Sequence, residues 1–240
     1  MAPKRSKFAV FEAAKTPQNT AFVLLATLIA FGYTALRFQL NIEYTGATWQ
    51  QLYDLTAPIP FGTRVLVPLL SRPLVHLGYS VREAFVFWEA VSCLALIFCT
   101  RAVLQKFITP FQASAGAIGF IHLLPLAFLL RFEWPVFYPH DTPAMLVVVA
   151  GLHLALNQQW RWLLPLTFVG TLNRESAILL PMVYCLINAD RHPILQLAGR
   201  TAALLAAYVL GRLLVGLLVA DNPRPYAGSM AFTLNDGWRV

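Results

Sequence analysis

The chain has 240 residues, of which 58% are hydrophobic and 12% charged, with a formal net charge of +7 and a mean hydropathy of +0.61. A soluble domain carries about a quarter charged residues, so this composition excludes an ordinary soluble domain and points to a polytopic membrane protein. The positive balance is not that of a nucleic-acid binder, because the basic residues cluster at the ends of apolar runs, as membrane topology favours.

Residues 1–19 form an N-terminal segment with Lys4, Arg5, Lys7 and Lys15, expected on the cytoplasmic side. Residues 20–38 are the first span, long enough for a bilayer core of about 30 Å. No small-residue cleavage site follows it, so it does not read as a signal peptide. Residues 39–82 form the first external loop. Within it, 48–55 and 65–77 place apolar residues at helical spacing beside a polar side, and each is too short to span. Interfacial amphipathic helices fit them. Ala-Pro-Ile-Pro-Phe-Gly at 57–62 is a rigid turn between the two.

Residues 83–104 return inward and 113–130 lead out. Residues 131–142 make an aromatic external loop, and 143–156 return, with Asp141 or Thr142 as cap and Pro143 in the first turn. Residues 162–186 are apolar but interrupted by Asn173, Arg174, Glu175 and Ser176. Two short helices, 162–172 and 176–187, are expected to meet at that break, since broken backbone at depth is tolerated where it lines a cavity. Residues 201–220 are the last span and 221–240 an external tail. The result is a single all-α membrane domain of about seven transmembrane helices, two of them short, with the N-terminus cytoplasmic. Cys93, Cys99 and Cys185 lie in apolar runs and read as small buried hydrophobes.

The chemistry concentrates where charge meets apolar sequence. A charge at membrane depth costs about 2.5–3.5 kcal/mol on insertion scales, and a functional site is the default reading for it. Arg174 and Glu175 are such residues. Adjacent positions do not face each other on a helix, so each needs another partner. Glu89 and Arg212 also sit within spans, with no partner evident from the sequence. On this topology Asp54 and Arg64 from the first loop, His140 and Asp141 from the second, and Asn173, Arg174 and Glu175 from the break share the outer half of the membrane. Arginine binds phosphate oxygens bidentately. A carboxylate pair can hold a divalent ion that bridges phosphate, and a further carboxylate can act as general base. The blander readings are a turn role for Asp54, snorkelling for Arg64, stacking on aromatics for His140 and a helix cap for Asp141. Glu43 reads as solvated and Glu133 as a local partner of Arg131. His76, His122 and His153 are scattered and carry no metal spacing.

Three features resemble the GT-C superfamily of membrane glycosyltransferases, which use polyprenyl-phosphate-linked sugars. They are Asp54 ahead of Ile-Pro-Phe-Gly-Thr-Arg64 in the first external loop, Asp141 in Tyr138-Pro-His-Asp-Thr-Pro in the second, and the Gly-x-Leu-x-basic-Glu-small break at 170–177. The seven-helix layout matches the superfamily's shared N-terminal module and implies a minimal relative. No Asp-x-Asp or Asp-Glu pair occurs in the first loop. The resemblance implies Asp54 as catalytic base and Asp141, with Asp54, as holder of a metal (Mg or Mn) or of the donor phosphate. It implies Arg174, with Arg64, as phosphate contacts. His140, Asn173 and Glu175 complete the expected substrate-binding set. The expected partners are a polyprenyl-phosphate-linked sugar, membrane lipid and a membrane partner subunit, with no nucleic acid. The competing reading is a non-enzymatic lipid-phosphate-binding subunit or flippase accessory of a glycan-assembly system.

Overall fold

The fold, taken from a computed structural model, is described for residues 17–128 and 136–223. The basic segment up to residue 16, the part of the aromatic loop that holds Arg131 and Glu133, and the tail from residue 224 lie outside the described residues. The described chain is helical: α1 (Pro17–Leu40), α2 (Trp49–Tyr53), α3 (Leu66–His76), α4 (Val81–Leu104), α5 (Pro110–Phe128), α6 (Asp141–Leu156), α7 (Trp160–Asn173), α8 (Leu179–Asn188) and α9 (Ile194–Leu218). Short 3-10 turns at Phe61–Thr63 and Glu175–Ile178 complete it. Among the described residues the one extended pairing is an isolated parallel bridge, Ile42 to Val136.

Three helices, Gln18–Leu40, Val81–Leu104 and Ile194–Leu218, are long and apolar enough to cross a membrane. Asp141–Leu156 and Glu175–Asn188 are apolar but shorter. Wide apolar faces remain exposed on the first and last of the long helices, with Leu24, Leu28 and Phe31 on α1 and Leu195, Leu210 and Leu217 on α9. In water such faces would be costly, at about 25 cal/mol per Å²; in hydrocarbon they are at home.

Local sequence explains most boundaries. Ser80 and Glu83 form a reciprocal capping box that starts α4 two residues before the expected 83. Thr48 and Gln51 do the same for α2. That helix is a single turn, shorter than the expected 48–55, because Leu55 adopts a left-handed conformation with φ 59°. The turn sends Leu55 against Val65, Leu172 and Val215. The expected cap of α6 is corrected. His140 is the N-cap residue without a side-chain cap hydrogen bond, and Asp141 is the first helical residue, its carboxylate directed elsewhere.

Helix α4 is central, packing on α1, α3, α5 and α6, while α9 lies on α7 and α8. One core joins α1, α4 and α5 through Phe22, Ala26, Leu96, Ala117 and Ile121. A second joins α6 to α9 through Val147, Leu163, Leu180 and Leu204. The chain after α9 folds back on the rigid turn: Asn222 Nδ2 donates to the Ala57 carbonyl at 3.0 Å, and the Ile59 N–H donates to the Pro223 carbonyl at 3.1 Å. Gly62 permits this, since a Cβ there would lie 2.3 Å from the Ala57 oxygen.

The break expected at 173–176 is present. Arg174 is extended, with φ −162° and ψ 148°, which ends α7 and begins the 3-10 turn leading to α8. Gly170 lets α7 approach α6 there; a Cβ at that position would lie 2.5 Å from Val147 Cγ1.

Candidate functional site

Antiparallel packing brings the C-terminal end of α1, the N-terminal ends of α4 and α6, the break and the last third of α9 to one end of the bundle. Their charged side chains form a buried network. Arg37 is fully buried and its Nη1 lies 2.5 Å from Glu89 Oε1, itself fully buried. The same Nη1 donates to Thr142 Oγ1 at 2.8 Å, and the Thr142 hydroxyl donates to Glu89 Oε1 at 2.6 Å. Arg37 Nη2 reaches Asp141 Oδ2 at 3.2 Å. The other oxygen of Asp141 receives Arg174 Nη1 at 3.1 Å. Asp141 is therefore a carboxylate clamped between two guanidiniums. Burial at this depth is tolerated because each charge finds an opposite one with hydrogen bonds.

A second group surrounds the first. Arg64 Nη1 donates to His140 Nε2 in a very close contact. Burial first, then the Arg64, Arg174 and Arg37 guanidiniums, push the His140 ring well below its usual pKa. It is neutral and can accept at Nε2. The ring is stacked on Tyr138, with centroids 5.3 Å apart, as its blander reading expected. Asn173 Nδ2 donates to the His140 carbonyl at 2.9 Å, tying the end of α7 to the start of α6. Glu175 Oε1 accepts from Thr63 at 3.0 Å and from Arg212 at 3.2 Å. The isolated bridge helps align the two loops: the Phe137 N–H donates to the Ile42 carbonyl at 3.0 Å, and the Phe137 ring lies 5.0 Å from the Arg37 guanidinium carbon.

Of the sequence-derived residues, the network joins Arg64, His140, Asp141, Asn173 and Arg174, while the adjacent Glu175 pairs with Thr63 and Arg212. Asp54 stands apart. It ends α2, is exposed, and accepts from Gln50 Nε2 at 2.9 Å on its own helix. Its neighbour Leu55 packs on the apolar cluster that includes Leu172, and the hydrogen bond described for the Asp54 carboxylate is the local one to Gln50. Glu89 and Arg212, which had no evident partners, find them in Arg37 and Glu175. Arg37 and Thr63 were not singled out in the sequence, and Thr142 was expected only as a helix cap. Arg37 ends an apolar span, where an arginine ordinarily snorkels to the interface, and its partners lie 52 and 104 residues away.

Charge does not balance within this network. Arg37, Arg64, Arg174 and Arg212 face Glu89, Asp141 and Glu175. Of these four guanidiniums, Arg64 has no carboxylate within 4.0 Å among the described residues, and its Nε is buried with no hydrogen-bond partner. Beside it, Arg174 is 39% exposed. Together with Asp141 and Ser176 it forms the polar edge of a cavity of about 440 Å³, whose remaining walls, Phe120, Met145, Val148 and Val149 among them, are apolar. A divalent metal does not fit these residues. Both oxygens of Asp141 already hold guanidiniums, Glu175 holds a third, and among the described residues no three His, Cys, Asp or Glu side chains gather. No family model matches the chain, and neither a curated protein nor a solved structure matches it.

Proposed function

We propose that the chain is a membrane glycosyltransferase of GT-C type, which takes a polyprenyl-phosphate-linked sugar as donor and passes the sugar to an acceptor on the extracytoplasmic side. The observation that carries the reading is Arg64. It is a half-buried guanidinium paired with a neutral histidine in place of a carboxylate, beside a partly exposed Arg174 on the edge of an apolar cavity. A buried cation without its anion favours an anionic ligand. Two guanidiniums suit a phosphate, and the apolar walls suit the isoprenoid chain that follows it. In this reading about seven helices cross or enter the bilayer, α7 and α8 being the two short ones that meet at depth, and α2 and α3 lie at the outer interface.

The reaction needs an acceptor hydroxyl oxygen to bond the anomeric carbon while the bond from that carbon to the phosphate oxygen breaks. The lipid phosphate leaves with the electron pair, and the hydroxyl proton passes to a base. Arg64 and Arg174 would stabilise the charge growing on the leaving phosphate. Asp141, with both oxygens held by guanidiniums, would orient Arg174. Asp54 takes the base role: it is exposed, and its hydrogen bond to Gln50 leaves acceptor capacity free.

The test is sugar transfer by the purified chain in liposomes holding a polyprenyl-phosphate-linked sugar. Asp54→Asn is expected to lower turnover about 10²–10⁴-fold and to leave donor binding nearly unchanged. A second reading, a non-enzymatic subunit that binds lipid phosphate and hands it to a membrane partner, is favoured by the isolation of Asp54 from the network. Donor binding without transfer, or transfer indifferent to Asp54→Asn, would select it.

A further inference from the structure

The opposite end of the bundle holds a second cationic cavity that the polar network does not use. About 380 Å³ in volume, it lies where α7 begins and α9 begins, and Arg161, Arg200, His192, Gln158 and Gln159 line it with Trp160. Arg200 Nη1 approaches His192 Nε2 at 2.9 Å and donates to the Tyr184 hydroxyl at 3.2 Å, and its guanidinium carbon lies 5.5 Å from the centre of the Trp160 ring. These contacts fix the guanidinium and leave its charge unneutralised. Among the described residues neither Arg161 nor Arg200 has a carboxylate within 4.0 Å, although Asp190 sits on the turn that precedes α9. Arg161 is exposed at the first turn of α7, whose N-cap residue Gln159 makes no side-chain cap. The first amides of that helix thus add a positive dipole end to the two guanidiniums.

What separates this cavity from a plain basic surface is its continuation. A groove of about 630 Å³ shares Gln159 and Trp162 with it and runs between α4, α6 and α7 along Cys99, Leu154, Leu166 and Val169. A polar, cationic chamber adjoining an apolar groove, with Gln159 and Trp162 lining both, suits a phospholipid: phosphate in the first, acyl chain in the second. We propose that this pair of cavities binds the phosphate headgroup and one acyl chain of an anionic membrane lipid, at the end of the bundle opposite the polar network. The proposal does not depend on the function assigned to that network.

Arg161 contributes without structural duty, since its side chain makes no internal contact among those described; Arg200 also braces Tyr184 and His192. Arg161→Gln is therefore the informative change, and Arg200→Gln the stronger but less clean one. The measurement is native mass spectrometry of the full chain released from detergent. It is made in an Arg174→Ala background, so that lipid held at the polar network does not contribute. Phosphatidylglycerol, diacylglycerol and inorganic phosphate are offered separately. Retention of phosphatidylglycerol over diacylglycerol is expected, with a loss of about tenfold on Arg161→Gln, the scale of one charge-assisted hydrogen bond. Val169→Trp, which fills the groove, should lower phosphatidylglycerol retention by a similar factor. Equal retention of the two lipids, or no change on Arg161→Gln, would overturn the proposal. So would binding of inorganic phosphate with no preference for the lipid, which would make the chamber a free-anion site.

Discussion

The two ends of this helical bundle handle arginine in different ways. At one end Arg37, Arg174 and Arg212 each meet a carboxylate, and Arg37 is fully buried. At the other, Arg101 donates to Asn19 Oδ1 at 2.7 Å with its guanidinium carbon 4.2 Å from the centre of the Phe22 ring, while Arg200 leans on Tyr184, His192 and Trp160. Neither has a carboxylate. For Arg37 the difference follows from depth. A guanidinium sealed from solvent needs an opposite charge, whereas one near an interface is served by amides, rings and water. Glu89 and Asp141 serve Arg37 in this way, and Glu175 pairs with the partly exposed Arg212 at the same end. The exceptions there are Arg64, which meets a neutral histidine, and Arg82, which lies over the Phe38 and Trp49 rings.

The contrast breaks most visibly at Arg37. Replacing it with alanine leaves Glu89 buried without its cation, and the expected cost is about 3–5 kcal/mol. Thermal unfolding in detergent should show loss of the folded form, or a large fall in Tm, for Arg37→Ala. Glu89→Gln should fall less, because Asp141 still pairs with Arg37. Gly170→Ala comes next. The added Cβ would press on Val147 where α7 and α6 are closest, and overpacking of this kind costs about 1–3 kcal/mol. The same measurement checks it.

His140 makes the polar end sensitive to acid. Its ring is held neutral when folded and has its ordinary pKa, about 6.5, when unfolded. Below that pH the unfolded chain binds the proton and the folded chain resists it. Stability should therefore drop as pH falls below about 6.5, by at most about 1.4 kcal/mol per unit. His140→Gln should flatten the dependence in unfolding curves collected between pH 5 and pH 8. The smallest effect is expected at the other end. Arg101→Ala removes one amide contact and one ring contact, and a loss of about 0.5–1 kcal/mol is expected. A fall as large as that of Arg37→Ala would erase the distinction between the ends.

Much of the layout was legible in the sequence. The long apolar runs became long helices, and four polar residues inside an apolar stretch marked the break at Arg174. The partners were not legible. Glu89 and Arg212 stood out as buried charges, yet nothing local pointed to Arg37 or Glu175, because helix packing alone brings such distant positions together. Asp141 resembled a cap, since acidic residues before proline commonly are. Its carboxylate turns inward because two guanidiniums outweigh the amides of one helix end. Asp54 had the right neighbours in sequence, but α2 is a single turn, and that places its carboxylate outside the network.

The central proposal is that Arg64 and Arg174 together hold a lipid phosphate. The direct measurement is equilibrium binding of a polyprenyl phosphate to the purified chain in nanodiscs, with the unphosphorylated polyprenol as control, for the wild type, Arg64→Ala and Arg174→Ala. The account predicts that the phosphate form binds more tightly than the alcohol. It predicts that each substitution weakens the phosphate form by about tenfold or more, the scale of a lost charge-assisted contact, and leaves the alcohol unchanged. Equal affinity for the two lipids, or phosphate binding indifferent to both substitutions, would contradict it.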